Sequence, residues 1–252
     1  MNWSFQLYSA RNFKPWSEVL GLLGRLGYTQ VEGFGGVYDD PQAFRAEMDR
    51  NGLAMPSGHF SIDALEGDFD GVRRIADTFG MKLLICPFLP PDKRPSDAAG
   101  WKSFGERLAA VGDTAHEAGY RFAWHNHDFE FAPLPDGSTP QKHIVEAAPE
   151  MGLELDVAWV VRGGADPLQW IADYADRILA VHVKDIAPEG ENRDEDGWAD
   201  VGHGTVGWST MLKELRLKTP AAVYAMEHDN PSDLERFARR SIEAVRDLDG
   251  AR

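Results

Sequence analysis

Eight short apolar runs recur along this chain, each followed by a longer stretch of helical period, and that alternation limits the fold more than any other feature. The runs are Trp3–Tyr8, Thr29–Phe34, Leu53–His59, Met81–Pro87, Tyr120–His127, Leu153–Val157, Ile178–Val183 and Val223–Glu227. Consecutive starts lie about 25–45 residues apart, room for a crossover helix between parallel strands each time. The linking segments read as helices. In Trp16–Leu26, Val19, Leu20, Leu22, Leu23 and Leu26 make a broad apolar face. Trp101–Ala118 repeats this with Phe104, Leu108, Val111 and Ala115, and Gly119 follows where a C-terminal cap belongs. Asp166-Pro167 and Pro231-Ser232-Asp233 mark further helix starts.

Eight such units in 252 residues predict an α/β fold, a single (β/α)8 TIM barrel over residues 1–252. A doubly wound open sheet is the rival. It usually brings a glycine-rich phosphate turn after the first strand, whereas here that strand runs into YSARNFKP. The polar stretch Pro188–Asp200 reads as a long loop after the seventh strand.

Charge narrows the partners. Lys plus Arg number 26 against 41 Asp plus Glu, a formal net charge of −15, which opposes a polyanion such as nucleic acid. No stretch approaches the roughly 18–20 uninterrupted apolar residues of a membrane helix. The first residues lack a basic-then-apolar signal pattern. The single cysteine, Cys86, fits a reducing cytoplasm. A cytoplasmic enzyme without a membrane partner is expected.

In a barrel, chemistry gathers at the C-terminal ends of the strands. Glu32, His59, His125, His127, Asp156, His182, Lys184, Glu227 and Asp229 all fall there. Alternation places His182 and Lys184 on one face of the seventh strand. Asp156, His182 and Glu227, from three successive strands, make a nitrogen and oxygen donor set suited to one divalent ion such as Mn²⁺, Zn²⁺, Co²⁺ or Mg²⁺. A fourth ligand is expected from the fifth strand, where His125, His127 and Glu130 are the candidates.

Plainer readings compete at several positions. A strand-end acid often caps the next helix, and a strand-end histidine often fills the barrel mouth. Asp185 points away from the His182 face and reads as a loop buttress, and Glu154 as a residue deeper in the barrel or paired locally. Trp124, Trp159, Trp198 and Trp208 divide between mouth and core. Gly202-His203-Gly204 reads first as a turn, with His203 a secondary substrate contact. Arg236, Arg239 and Arg240 read as a solvated helix face.

The segments WHNHDFEF, LELDVAWVVRGGADP, VHVKD, VGHGTVGW and MEHD, in this order, together with FQLYSAR and YTQVEGFGG, resemble the sugar phosphate isomerase/epimerase superfamily of xylose-isomerase-like TIM barrels. The resemblance spans essentially the whole chain. It implies a metal held from the last four strands, commonly by glutamate, aspartate, histidine and glutamate. Asp156, His182 and Glu227 match three of these positions. The fifth strand departs: it carries His-Asn-His, and the nearby glutamate is Glu130, which is expected to reach back to the metal unless His125 or His127 replaces it.

The resemblance also implies proton abstraction next to a metal-bound carbonyl, the shared first step of isomerases, epimerases and dehydratases. The His-Asn-His form resembles members acting as inosose dehydratases or on keto-sugars. A metal-dependent sugar isomerase or epimerase is expected, with a keto-sugar or inosose dehydratase or lyase as the alternative. His125 or His127 is the expected base or acid, with Glu227 a second proton carrier. Lys184 is expected to stabilise oxyanion charge or to bind a carboxylate or phosphate, and Glu32 and His59 to contact substrate hydroxyls. The partner is a small-molecule sugar or keto-sugar, with homo-oligomerisation left open. An apurinic endonuclease shares the fold but would need a basic surface, and a non-enzymatic sugar-binding barrel would need loss of the metal cluster.

Overall fold

The computed structural model describes residues 2–250. Its strands are β1 (Trp3–Gln6), β2 (Gln30–Gly33), β3 (Ala54–His59), β4 (Leu83–Cys86), β5 (Arg121–His125), β6 (Gly152–Asp156) and β7 (Ile178–Val183), then β8 (Asp185–Ile186), β9 (Trp198–Ala199) and β10 (Val223–Met226). Eight of them close a parallel barrel in the order β1-β10-β7-β6-β5-β4-β3-β2, and β8 pairs antiparallel with β9 outside it. The (β/α)8 TIM barrel read from the alternation is the fold. Among the described residues no helix is long and apolar enough to cross a membrane.

The helices are α1 (Trp16–Leu26), α2 (Pro41–Arg50), α3 (Ile62–Gly67), α4 (Phe69–Phe79), α5 (Ala98–Glu117), α6 (Pro140–Ala147), α7 (Val157–Arg162), α8 (Pro167–Asp173), α9 (Trp208–Lys218) and α10 (Leu234–Gly250). Their ends follow local chemistry. Asp97 accepts the Gly100 N–H at 2.8 Å to start α5. At its other end Gly119 takes a φ of +87°, letting the Tyr120 N–H reach the Ala115 carbonyl at 2.9 Å. Asp166 starts α8 by accepting from Leu168 N at 2.9 Å.

Register sorts the barrel interior into layers, because laterally paired residues share a face. Gln6 lies beside Glu32, His59 beside Ile85, His125 beside Glu154, and His182 beside both Asp156 and Ala225. The lower interior is apolar, with Leu83, Ile85, Ala123, Ala180, Val223 and Ala225 packed together. Above it the same faces carry Gln6, Glu32, His59, His125, Glu154 and His182, all buried. The opposite strand faces, with Phe5, Val31, Leu84, Trp124 and Val181, pack against the helices in the main core. That apolar belt lies beneath the ring of polar side chains at one end of the barrel.

Several elements differ from the sequence reading. The first strand ends at Gln6 and turns through a 3-10 segment, Leu7–Ala10, and the fifth ends at His125, leaving His127 on a loop. Two helices rather than one follow β3 and β6. The stretch Pro188–Asp200 is folded down rather than loose. Buried Glu195 accepts from Ser232 N at 2.7 Å and Arg236 Nη2 at 2.8 Å, and buried Asp200 pairs with Arg236 at 3.2 Å and Arg240 at 2.8 Å. Arg236 and Arg240 therefore fasten this loop to α10 and are not simply a solvated face. Arg239 pairs with Glu235 on the helix surface.

Candidate metal centre at the barrel mouth

Asp156 ends β6 and serves two purposes, one with each oxygen. Its Oδ1 accepts from Trp159 N at 2.8 Å and starts α7. Its Oδ2 is buried, without a hydrogen-bond partner among the described residues, 3.9 Å from both His182 Nδ1 and Lys184 Nζ. Asn126 fixes it in place: the Asn126 amide donates to the Asp156 carbonyl and accepts from its N–H, each at 3.1 Å. The central residue of His-Asn-His thus continues the β5–β6 pairing beyond the end of β5.

His182, fully buried on β7, faces two ways. Its Nδ1 lies 3.0 Å from Glu227 Oε2, and its Nε2 lies 2.6 Å from Glu32 Oε1. Glu227 follows β10 and its Oε2 also accepts from Lys184 Nζ at 3.2 Å. His125 closes the group from β5, with its ring centroid 4.4 Å from that of His182. Its Nδ1 is 3.1 Å from Glu154 Oε2 but is not aligned to bond it.

One ligand atom each from His125, Asp156, His182 and Glu227 lie within 4.8 Å of one another. Two imidazoles and two carboxylates suit Zn²⁺, Mn²⁺ or Co²⁺. The fit is specific, because His125 Nδ1 and Asp156 Oδ2 are buried polar atoms left without an aligned partner. A deeper set, His59, His125, Glu154 and His182, also converges within 4.8 Å. His59 Nε2 already bonds Glu154 Oε2 there at 2.8 Å, with His182 Nε2 at 3.3 Å, so the first set is the better cation site.

Burial and charge act on these groups in opposite senses. Burial opposes a charge on His182, yet Glu154 and Glu227 outweigh it and hold the imidazole protonated well above its ordinary range. Burial likewise opposes charge on His59, but Glu154 and Glu32 bring it up to about 9. Burial pushes the Asp156 carboxyl up to about 7, against the pull of Lys184 and His182. Burial also works against the Glu227 carboxylate, but Lys184 and His182 overcome it and hold that group well below the usual range. His125 goes the other way: burial, reinforced by His182, lowers it to about 4. Burial and neighbouring His125 lower His127 as well. These surroundings keep His125 and His127 neutral and favour a proton on His182 and His59, and a cation held at His182 would take the place of one ring proton there.

The structure brings together Asp156, His182 and Glu227, and sets His125 beside them. Four expected site residues lie outside the converging set. Glu130 is fully buried on the 3-10 turn Phe129–Phe131, its Oε2 accepts from His127 N at 2.9 Å, and it belongs to neither converging set. Glu32 is fully buried, is bonded to His182, Gln6 and Ser57, and is not part of the cavity wall. Lys184 is also fully buried, 2.6 Å from Asp229 Oδ2 and under the rings of Trp198 and Trp159. Its ammonium is turned to Glu227 and Asp229. His203 sits on an exposed turn outside the cavity wall.

His59, His127, Glu227 and Asp229 do line a cavity of about 820 Å³ over the centre, together with Trp159. Trp124 instead packs outside the barrel on Phe104, and Trp208 donates to the Lys184 carbonyl at 3.0 Å. Asp185 buttresses the loop, accepting from the N–H groups of Ile186, Gly202, Gly204 and Val206. Sequence reasoning missed Gln6, Ser57 and the central place of Glu154. The signal for Glu154 was present: it shares the Asp156 face, and parallel pairing sets it beside His125.

The family model described as the xylose isomerase-like TIM barrel matches residues 20–248. The chain belongs to that family. Among curated proteins, the chain is 23% identical over 193 residues to an inosose dehydratase of Geobacillus kaustophilus (strain HTA426), covering 67% of this chain and 61% of that relative. The chain thus spans less than two thirds of the relative's length. A sugar phosphate isomerase/epimerase from Parabacteroides distasonis ATCC 8503 superposes with a TM-score of 0.80 at 20% identity, over 96% of this chain and 92% of that one. The IolI protein, whose structure holds a zinc atom, superposes with a TM-score of 0.77 at 16% identity, over 98% of each chain. At these identities the structural likeness shows the shared fold.

Proposed function

We propose that this protein is a divalent-metal-dependent enzyme that removes a proton from the carbon beside the carbonyl of a sugar, keto-sugar or inosose. The observation that carries this reading is the set His125, Asp156, His182 and Glu227, with two unpartnered donor atoms, next to a cavity walled by a neutral imidazole. Bound there, a divalent ion supplies Lewis-acid polarisation of a carbonyl, which acidifies the neighbouring C–H. His127 is the proton acceptor in this reading. It is uncharged, its Nδ1 is unpartnered, and Trp159, Phe88 and Phe129 surround it at ring distances of 5.4, 5.1 and 6.0 Å. Glu227, held ionised by Lys184 and His182, is the second proton carrier.

Return of the proton to the neighbouring carbon gives isomerisation, and return to the same carbon from the opposite face gives epimerisation. Loss of a β-hydroxyl from the same enolised substrate gives dehydration, and the inosose dehydratase relative favours this second outcome. The zinc in the IolI neighbour and the family's xylose isomerase-like description support a metal and a carbohydrate. The test is metal content together with solvent deuterium exchange into a panel of keto-sugars and inososes. Wild type is expected to bind one ion per chain and to exchange the α-hydrogen, while Asp156→Ala and Glu227→Ala lose both. Full metal occupancy in both variants would refute the assigned centre, and a product absorbing as an α,β-unsaturated ketone or diketone would select dehydration.

A further inference from the structure

The cavity over the metal centre has two chemically different ends. His59, His127, Glu227 and Asp229 form the polar end. The other end is built by the turn after β2 and by the two helices that follow β3, with Phe34, Tyr38, Phe60, Ile62, Val72 and Ile75. Tyr38 and Phe60 stack there at 4.9 Å, 17° from parallel. Ser61, Asp63 and Asp68 also line that end, but their side chains are committed. Ser61 Oγ accepts from Ala64 N at 3.2 Å, Asp68 from Gly71 N at 3.0 Å, and Asp63 from Lys93 Nζ at 2.6 Å. What remains for a ligand is mostly hydrocarbon and ring faces, with the buried, unpartnered Tyr38 hydroxyl the polar exception.

Size points the same way. At about 820 Å³ the cavity lies in the upper part of the roughly 300–1,000 Å³ range that takes drug-sized ligands, well beyond one sugar ring. A polyhydroxylated ring at the apolar end would leave hydroxyls without partners, which burial penalises. Tyr8 and Phe88, 39% and 37% exposed, stand on the same cavity wall, and exposed aromatics at a pocket rim are contact surfaces for a ligand. Charge limits the occupant further. Arg94 is the one Lys or Arg among the described residues lining the cavity, and it is stacked on Phe129 at 3.4 Å with its Nε on the Leu89 carbonyl. Asp63, Asp68 and Asp128 meanwhile make the wall acidic.

We infer that the substrate is a sugar bearing a neutral aromatic substituent, with the sugar ring at the metal centre and the aryl group in the chamber between Phe34, Phe60 and Ile75. This rests on the sugar reading above, and it disfavours a phosphorylated substrate. The test is calorimetric titration of the metal-loaded protein with phenyl β-D-glucopyranoside, methyl β-D-glucopyranoside and benzyl alcohol. Phenyl glucoside is expected to bind at least tenfold more tightly than methyl glucoside, and Ile75→Trp, which fills the chamber, to bring that ratio close to one. Equal affinity of the two glycosides in wild type would overturn the inference while leaving the sugar reading intact. Binding of benzyl alcohol without either glycoside would uphold the aryl chamber and overturn the sugar reading. Absence of binding by all three would overturn the chamber itself. If Ile75→Trp fails to fold, the wild-type ratio alone decides.

Discussion

His182 Nε2 lies 2.6 Å from Glu32 Oε1, a contact between residues 150 positions apart that the closed barrel brings together. With Nε2 donating to Glu32, the Nδ1 edge of the ring is directed at Asp156 and Glu227. A carboxylate behind a ligating imidazole fixes the ring's orientation and tautomer and raises its basicity. Glu32→Gln is therefore expected to weaken divalent-metal affinity by about 10–100-fold with the barrel still folded. Competition against a chromophoric chelator measures this, with circular dichroism as the control. Unchanged affinity in a folded variant would show that Glu32 serves only the packing of the barrel.

Lys184 carries a second prediction. Its ammonium is fully buried among Glu227 at 3.2 Å, Asp229 at 2.6 Å and Asp156 at 3.9 Å, and those carboxylates raise its pKa despite burial. Removing one partner of a buried ion pair typically costs about 3–5 kcal/mol, because the other charge stays buried and uncompensated. Lys184→Met should lose stability on that order without metal, and recover part of it with saturating divalent metal, which supplies positive charge to the same carboxylates. Denaturant melts with and without metal test this. Equal losses in both conditions would separate Lys184 from the metal centre.

The alternation of apolar runs and helical stretches made the eight strands legible, since each is a local feature, and the missing glycine-rich turn after the first strand argued against the open-sheet rival. Asp156, His182 and Glu227 were legible for the same reason, each standing at the end of its own strand. Glu154 and Glu32 were not. Their partners lie on other strands, and only the parallel register, with Glu154 beside His125 and Glu32 beside Gln6, shows that they meet imidazoles inside the barrel. Glu130 misled because residue type outweighed position. Beyond β5 the chain turns through Phe129–Phe131, and the carboxylate folds back onto the His127 N–H.

The fourth donor gives a prediction about metal choice. In the proposed centre His125 joins His182, Asp156 and Glu227, which gives two nitrogen and two oxygen donors. Imidazole favours Zn²⁺, whereas carboxylate oxygen favours Mn²⁺ and Mg²⁺. His125→Glu should retain a metal and move the Zn²⁺ to Mn²⁺ affinity ratio toward Mn²⁺ by about tenfold or more. Parallel titrations with the two ions give the ratio. Complete loss of metal binding with the fold intact, or an unmoved ratio, would remove His125 from the ligand set.

Glu130 supplies a pH prediction away from the metal. Burial pushes its carboxyl up to about 8 from an ordinary 4.5, against the pull of the His127 N–H and Arg94. The folded protein thus keeps a proton there that the unfolded chain releases near pH 4.5. Between that pH and about 8 the unfolded state binds fewer protons, so stability falls as pH rises, and above about 8 this contribution levels off. Glutamine retains an acceptor for the His127 N–H and cannot ionise. Glu130→Gln should therefore resemble wild type near pH 5 and exceed it near pH 8, by on the order of 1.4 kcal/mol for each unit of pKa displacement removed. Thermal melts of both proteins at the two pH values isolate this group from others that titrate. A difference between them that does not grow with pH would mean that the Glu130 carboxyl ionises normally in the folded protein.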